Sequence, residues 1–160
     1  IRRPPRSTQG VSSAASDVYK RQGIDNGVIS SNGVVGIIDK TTTNYSRLIS
    51  ILNTNFLLNA KFKNSNYFGV LSWNGKNINK VQLKDVPKQA KIKIGDTIVT
   101  GGNSLIFPKG ILIGYIQSFK LDNSENYLEL EVNLSTDMTN IENLYIINNN
   151  NATEINLLNE

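Results

Sequence analysis

Residues 92–116 constrain the fold of this chain more than any other segment. Two apolar stretches are joined there by a loop rich in Gly and carrying one Pro. The first stretch follows Gly95-Asp96, a pair typical of a turn, because Gly accepts positive φ and the Asp side chain bonds a nearby backbone N–H. This pattern predicts two buried strands connected by structured turns.

A second turn is predicted at residues 107–110, where Pro108 presets φ and Gly110 closes the turn. Gly114 then lies inside an apolar strand, where a missing side chain marks a sharp bend or a close backbone crossing. Small closed barrels turn their corners with glycines of this kind. The segment therefore favours a β framework.

The rest of the chain has the pattern of short strands separated by polar turns about every ten residues, which is typical of a β-sandwich or a β-barrel. Asn32-Gly33 and Asn74-Gly75 predict tight hairpin turns, the first of type I′. The fold class predicted is all-β, with strands expected at residues 27–31, 34–38, 46–52, 58–62, 67–73, 78–83, 111–119, 127–132 and 144–147.

The two ends of the chain differ in composition from its middle. Residues 1–22 have no apolar periodicity and no apolar run after their basic residues, so they are not a secretory signal. Their wording resembles the translation of sequencing-adapter DNA, and we expect an artefactual or disordered leader. Residues 149–160 are expected to be a disordered polar tail.

The formal net charge of +4 comes entirely from the leader. Residues 1–22 hold five of the 17 basic and one of the 13 acidic residues, so the remainder holds 12 of each sign. A protein that binds nucleic acid through phosphates needs a clustered basic face. The sequence therefore predicts no nucleic-acid partner.

The chain has no His and no Cys. It therefore cannot build a Ser-His-Asp or Cys-His site or a His- or Cys-ligated zinc. Asp96 is the best-placed carboxylate, but it precedes an apolar strand as a turn residue does, and Asp137 is expected to cap a short helical turn. A Ser104–Lys109 dyad is the remaining nucleophilic arrangement. We expect no catalytic residues, no metal, no cofactor and no small-molecule substrate.

One strand face is a candidate protein interface. Tyr67, Leu71 and Trp73 share one face of their strand, beside a predicted turn, while Phe68 and Val70 share the other. One face should fill the core. Aromatic side chains at an exposed hairpin end are plausible anchors for a partner, and the competing interpretation is that Trp73 caps a barrel core.

Four blocks in order, at residues 27–37, 68–73, 94–101 and 106–114, resemble the extracytoplasmic part of the MreC family of rod shape-determining proteins. The resemblance spans residues 23–148. Its motif residues are Gly33, Gly36, Gly95, Asp96, Gly101, Phe107, Pro108, Gly110 and Gly114.

The resemblance implies two small six-stranded β-barrels, similar to trypsin halves without catalytic residues. The first is expected to be incomplete, with a division near residues 52–58 and residues 127–147 returning to it. It further implies a non-enzymatic scaffold of the cell-elongation complex that synthesises peptidoglycan. The implied protein lies outside the inner membrane and is held there by an N-terminal helix. Its implied partners are the elongation-specific penicillin-binding transpeptidase, MreD, indirectly MreB, and a second copy of itself.

Two other classes of protein remain open from the residues. A periplasmic adaptor of an export system also places Gly-Asp before a Val/Ile strand, but it should contain a long helical hairpin between lipoyl halves. A serine-protease-like enzyme would need a His from upstream sequence.

Overall fold

The computed structural model describes residues 26–148, which form ten β-strands. The all-β prediction is confirmed. The predicted leader at residues 1–22 and the predicted tail at 149–160 lie outside the described residues. The strands are β1 (Asn26–Ser30), β2 (Gly33–Thr41), β3 (Ser46–Ser50), β4 (Leu58–Phe62), β5 (Phe68–Ser72), β6 (Lys80–Pro87), β7 (Thr97–Thr100), β8 (Leu112–Leu121), β9 (Tyr127–Leu134) and β10 (Tyr145–Ile147).

The first part of the fold is an open antiparallel sheet with the strand order β10-β1-β2-β3. β2 is bulged between Ile38 and Lys40, so that Asp39 is the extra residue opposite β3. β10 pairs with β1 over only three residues. In the described residues, neither β10 nor β3 has a second neighbouring strand, so this sheet has two free edges.

The second part is a closed six-stranded barrel with the order β4-β5-β6-β9-β8-β7. β7 closes it by pairing with β4, where Thr100 lies opposite Ala60. Its core positions follow the period of two expected for strands that bury one face. One complete barrel and one open sheet thus occupy the place of the complete and incomplete barrels predicted from the sequence.

The chain passes from the sheet to the barrel between Ser50 and Leu58. Of the last strands, β9 stays in the barrel between β6 and β8, and β10 returns to the sheet beside β1. The predicted pairing of the strands around residues 111–119 and 127–132 is present as the long β8–β9 hairpin.

A single main core extends from the barrel to one face of the sheet. It includes Leu71, Leu83 and Leu130 in the barrel and Val34 and Ile37 in the sheet. A smaller cluster on the other face of the sheet contains Val28, Val35 and Ile38, and it is covered in part by side chains from Met138 to Ile146. The sheet is therefore buried on both faces but has little apolar volume of its own.

Three sequence predictions are wrong in detail. The β1–β2 turn is centred on Ser31-Asn32, because Ser30 pairs with Gly33, and it is not a type I′ turn of Asn32-Gly33. Residues 73–79 form a longer connection in place of a tight Asn74-Gly75 turn, although Gly75 does adopt φ 79°. β6 begins at Lys80, two residues later than expected, since the Asn77 side chain organises the preceding turn by accepting from Asn79 N.

No helix that could span a bilayer occurs between residues 26 and 148.

Candidate interaction surfaces

The Gly95-Asp96 pair forms the structural turn predicted for it. Asp96 Oδ2 accepts a hydrogen bond from Lys93 N at 2.8 Å, and Gly95 N donates to Ile116 O at 2.8 Å. Gly95 adopts φ 92°, a left-handed conformation that a residue with a Cβ rarely takes. The carboxylate therefore holds the entry to β7.

The loop from β7 to β8 is organised around Thr100, a residue that sequence reasoning missed. Its Oγ1 donates to Pro108 O at 2.6 Å and accepts from Ile111 N at 2.9 Å, and its side chain is 1% exposed. These bonds fix the Phe107-Pro108 turn, so that the Phe107 ring enters the main core with no exposed surface. A Thr at the end of an apolar strand before a Gly-rich loop is the signal that could have found it.

Four of the predicted motif glycines lie where a neighbouring group leaves no room for a side chain, and at three of them that group is backbone. A Cβ on Gly114 would lie 1.9 Å from Asn133 O, and one on Gly36 would lie 2.0 Å from Ile49 O. Gly33 and Gly101 are crowded in the same way, by Leu112 O and the Asn59 side chain. Gly110 lies in open space, where its φ of 96° is the reason for glycine. The motif residues thus shape the framework.

The three residues of the predicted interface differ in solvent exposure in the barrel. Leu71 is fully buried in the core and has no surface to offer to a partner, which removes it from the predicted interface. Tyr67 and Trp73 are half-buried and pack against the same core, and Trp73 Nε1 donates to Asn77 O at 2.9 Å. As contact residues, Tyr67 and Trp73 stay a prediction.

Asp122 and Asp137, two further carboxylates, stabilise turns. The Ser124 hydroxyl, followed by backbone N–H groups, holds the pKa of Asp122 below its usual value. The Thr139 hydroxyl and N–H do the same for the pKa of Asp137, which caps a turn at residues 137–140 where a short helical turn was expected. Among residues 26–148 no three acidic side chains gather where they could hold a metal ion.

Lys61 is the buried cation of the barrel, with 5% of its surface exposed. Burial lowers its pKa, and the neighbouring positive charge of Lys109 lowers the pKa further. Its Nζ lies 5.8 Å from the centre of the Phe68 ring, a cation–π distance. Lys61 on β4 is thus paired with Phe68 on β5 both in register and through this contact.

A cleft of about 510 Å³ opens between the sheet and the barrel. Its walls are mainly apolar and include Ile37 and Ile49 from the sheet and Phe56 and Leu58 from the barrel side. Asn59 Oδ1, which lies against Gly101, is buried there without a hydrogen-bond partner. The mainly apolar walls of the cleft therefore fit a surface that contacts another protein, and they fit equally a packing defect between the sheet and the barrel.

The β8–β9 hairpin carries apolar side chains that the sequence did not single out as a surface. Phe119 and Leu121 are 45% and 50% exposed, although they lie opposite the buried Leu130 and Leu128. They are exposed because β8 has ten residues and its neighbour β7 has four, so the hairpin runs past the end of β7. The difference in length between β7 and β8 cannot be read from the sequence unless the pairing of the two strands is known.

Comparisons with known proteins place these features in a family. The family model described as the barrel core of the rod shape-determining protein MreC matches residues 17–148. This match begins six residues inside the stretch expected to be leader. A cell shape-determining protein MreC from Escherichia coli (strain K12) is 29% identical over 104 residues, which cover 65% of this chain and 28% of that protein.

Solved structures share the fold at low sequence identity. MreC from Listeria monocytogenes matches with a TM-score of 0.71 at 16% identity, covering 89% of this chain and 87% of that chain. MreC in a complex with penicillin-binding protein PBP2, from Helicobacter pylori, matches with 0.64 at 17% identity, covering 76% of each chain. A structure of the major periplasmic domain of the cell shape-determining filament MreC matches with 0.64 at 19% identity, covering 78% and 77%.

The family model for the MreC barrel core covers most of the chain. The chain belongs to the MreC family of rod shape-determining proteins, which are non-catalytic cell-shape proteins.

Proposed function

We propose that this chain is the β core of a cell-elongation scaffold that binds the elongation-specific penicillin-binding transpeptidase through its barrel. The match to the MreC barrel core over residues 17–148 carries this proposal. The homologue from Helicobacter pylori, which was solved in a complex with PBP2, supports the choice of partner.

The chemistry of the described residues agrees with a binding role. The carboxylates of Asp96, Asp122 and Asp137 are each committed to turn hydrogen bonds. A closed barrel of this kind presents side chains to a partner from fixed strand positions, which lowers the entropic cost of binding.

The place of action we propose is the outer side of the inner membrane, with an anchoring helix in the intact protein upstream of this sequence. A homologous structure of a periplasmic domain supports this location. MreD, MreB (indirectly) and a second MreC copy stay proposed partners. An adaptor would need a helical hairpin, which residues 26–148 do not contain, so no observation favours that alternative.

Capture of the transpeptidase tests the proposed function. The chain is immobilised and the extracytoplasmic domain of the elongation-specific transpeptidase from the same organism is passed over it, with the division-specific transpeptidase as the matched control. We expect saturable binding of the first protein and at least tenfold weaker binding of the second. Equal binding of both, or of neither, would contradict the proposal.

The predicted contact at Trp73 is tested in the same assay. Trp73→Phe keeps an aromatic ring against the core but removes the indole N–H that bonds Asn77 O. Trp73→Ala removes the ring. If the pair contributes to the contact, a folded Trp73→Ala chain should bind the transpeptidase more weakly than Trp73→Phe. Unchanged capture by a folded Trp73→Ala chain would show that the residue only closes the core.

A further inference from the structure

We propose that the free edge of β8 at Phe119–Leu121 adds an extended segment of a partner protein as an extra strand. The partner's segment carries apolar side chains at two alternate positions and a carboxylate at the position between them. This inference rests on the proposed function, because it names the chemistry by which the scaffold takes a partner.

The backbone of this part of β8 is paired on one side only. Ile116 is the last residue bonded on the β7 side: Ile116 N donates to Asp96 O at 3.0 Å, and Ile116 O accepts from Gly95 N at 2.8 Å. A bulge follows between Ile116 and Ser118. Beyond it, β8 pairs with β9 and with no other strand among residues 26–148.

The hydrogen bond at the end of the β8–β9 hairpin shows which backbone N–H and C=O groups of β8 face the free edge. Asp122 N donates to Tyr127 O at 2.9 Å, so Asp122 and Tyr127 form a hydrogen-bonded pair. Antiparallel pairs alternate between bonded and non-bonded. Lys120 therefore bonds β9, while the N–H and C=O groups of Phe119 and Leu121 point away from β9, towards the free edge.

The side chains at this edge define what it can accept. Phe119 and Leu121 are directly opposite Leu130 and Leu128, so they share the inner face of the hairpin. They are about half exposed, and they offer an apolar surface to two residues of an added strand at alternate positions. Lys120 lies on the other face, where its Nζ is 4.0 Å from Glu129 Oε2 on β9, and its side chain is 76% exposed. It lies directly opposite the residue between those two. A carboxylate at that position would pair with it.

A second copy of this chain fits less well. Two copies of this edge paired about Lys120 would place two lysines directly opposite each other, which is unfavourable.

The test uses a nine-residue synthetic peptide with a Val-Glu-Val centre flanked by Thr and Lys, titrated into the isotopically labelled 160-residue chain. Amide shifts and hydrogen exchange are read at Phe119 and Leu121. N-methylation of both Val nitrogens removes the N–H groups that face the edge, and we expect about tenfold weaker binding. N-methylation of the Glu nitrogen, which points away from the edge, should change affinity less than threefold.

Variants of the chain make the matched test from the other side. Leu121→Pro removes one edge-facing N–H without breaking a bond to β9 and should weaken the peptide about tenfold, whereas Leu121→Val should stay within twofold. The unchanged chain should bind the Val-Glu-Val peptide about threefold more tightly than a matched Val-Lys-Val peptide. Lys120→Glu should reverse this preference to about threefold in favour of Val-Lys-Val. If Leu121→Pro does not fold, the N-methylated peptides still decide the question.

Several outcomes would overturn the proposal. They are equal binding of the N-methylated peptides, shifts confined to other residues, and protection of the free chain at Phe119 and Leu121 that disappears when residues 1–22 and 149–160 are removed. Self-association of the chain that Leu121→Pro abolishes would assign the edge to a second copy. Capture of the transpeptidase that persists in Leu121→Pro would leave the scaffold function standing and remove only this edge.

Discussion

The closed barrel and the open sheet use the same kinds of strand but differ in how their edges are satisfied. In the barrel, β7 returns to β4, and the fully buried side chains Leu83, Ile98 and Leu130 fill a single interior. The sheet ends in β10 and β3, each paired on one side, and its own cluster contains only three buried residues. Closure removes free edges and concentrates apolar burial, so the barrel should be the stable part and the sheet the part that opens first.

The barrel is not closed along the full length of β8. β7 is too short to cover β8, so residues 117–121 of β8 form a free edge segment of the barrel. The edge strands of the sheet, β10 and β3, are short, with three and five residues, which limits unintended pairing. Four variants test whether the barrel and the sheet differ in this way.

Phe107→Ala should have the largest effect. The ring is fully buried in the main core, and the position of a Cβ on Gly27 lies 2.5 Å from it, so Phe107 connects the barrel loop to the sheet. We expect a loss of about 4 kcal/mol in the free energy of unfolding and opening of the sheet before the barrel. Chemical denaturation followed by tryptophan fluorescence and amide exchange measures both. Phe119→Ala, at an exposed Phe, should cost less than about 1 kcal/mol, and equal losses would contradict the role of Phe107.

Gly114→Ala tests the barrel alone. Its new Cβ would lie 1.9 Å from Asn133 O, which forces β8 and β9 apart. We expect a loss of about 3 kcal/mol in thermal unfolding experiments. Gly110→Ala is the matched control, since that position has open space and only a left-handed φ, and should cost about 1 kcal/mol. Equal losses in Gly114→Ala and Gly110→Ala would contradict the close approach of β8 and β9 as the reason for glycine at position 114.

Thr100→Val should cost about 2 kcal/mol. It leaves Pro108 O and Ile111 N, which are part-buried, without the buried Oγ1 that bonds both. Thr97→Val on the same strand is the control, because no hydrogen bond of the Thr97 side chain is found among residues 26–148. Faster amide exchange across residues 101–111 in Thr100→Val, and not in Thr97→Val, is the expected readout.

Asp39→Asn should have the smallest effect, confined to the sheet. The Arg47 guanidinium, whose Nε lies 2.8 Å from Asp39 Oδ1, holds the pKa of Asp39 below its ordinary value of 3.8. The pair therefore stabilises the sheet above about pH 4, and this contribution is lost as the pH falls through the lowered pKa. Since Arg47 is 58% exposed, the loss in Asp39→Asn should be less than about 1 kcal/mol at pH 7. Asp85→Asn, which removes an exposed carboxylate on β6, serves as the control, and a pH-independent difference between the two would contradict the ion pair.

The sequence predicted the framework better than the contacts within it. The period of two, the turn residues and the Gly95–Gly114 pattern were enough for the all-β class, for the β8–β9 pairing and for the Asp96 turn. They did not show that Leu71 points into the core, because a strand with mixed residues on both faces does not say which face is buried. They also missed the Ser31-Asn32 turn, since the close approach of Gly33 to Leu112 O demands glycine for packing there.

The candidate edge at Phe119–Leu121 lay beyond sequence reasoning for a different reason. Its existence depends on the relative lengths of β7 and β8 and on the bulge after Ile116, which are properties of pairing between distant segments. Apolar residues on a strand predict burial, and only the short neighbour makes these two exposed.

Amide hydrogen exchange of the full chain, measured with and without the extracytoplasmic domain of the elongation-specific transpeptidase, distinguishes the barrel from the sheet in both stability and binding. We expect the free chain to exchange most slowly in β6, in β9 and at residues 112–116 of β8, and faster in β1, β3 and β10. We expect the transpeptidase to add protection on the barrel, at residues 117–121. Protection added only on the sheet, or none at residues 26–148 at saturating partner, would contradict binding through the barrel.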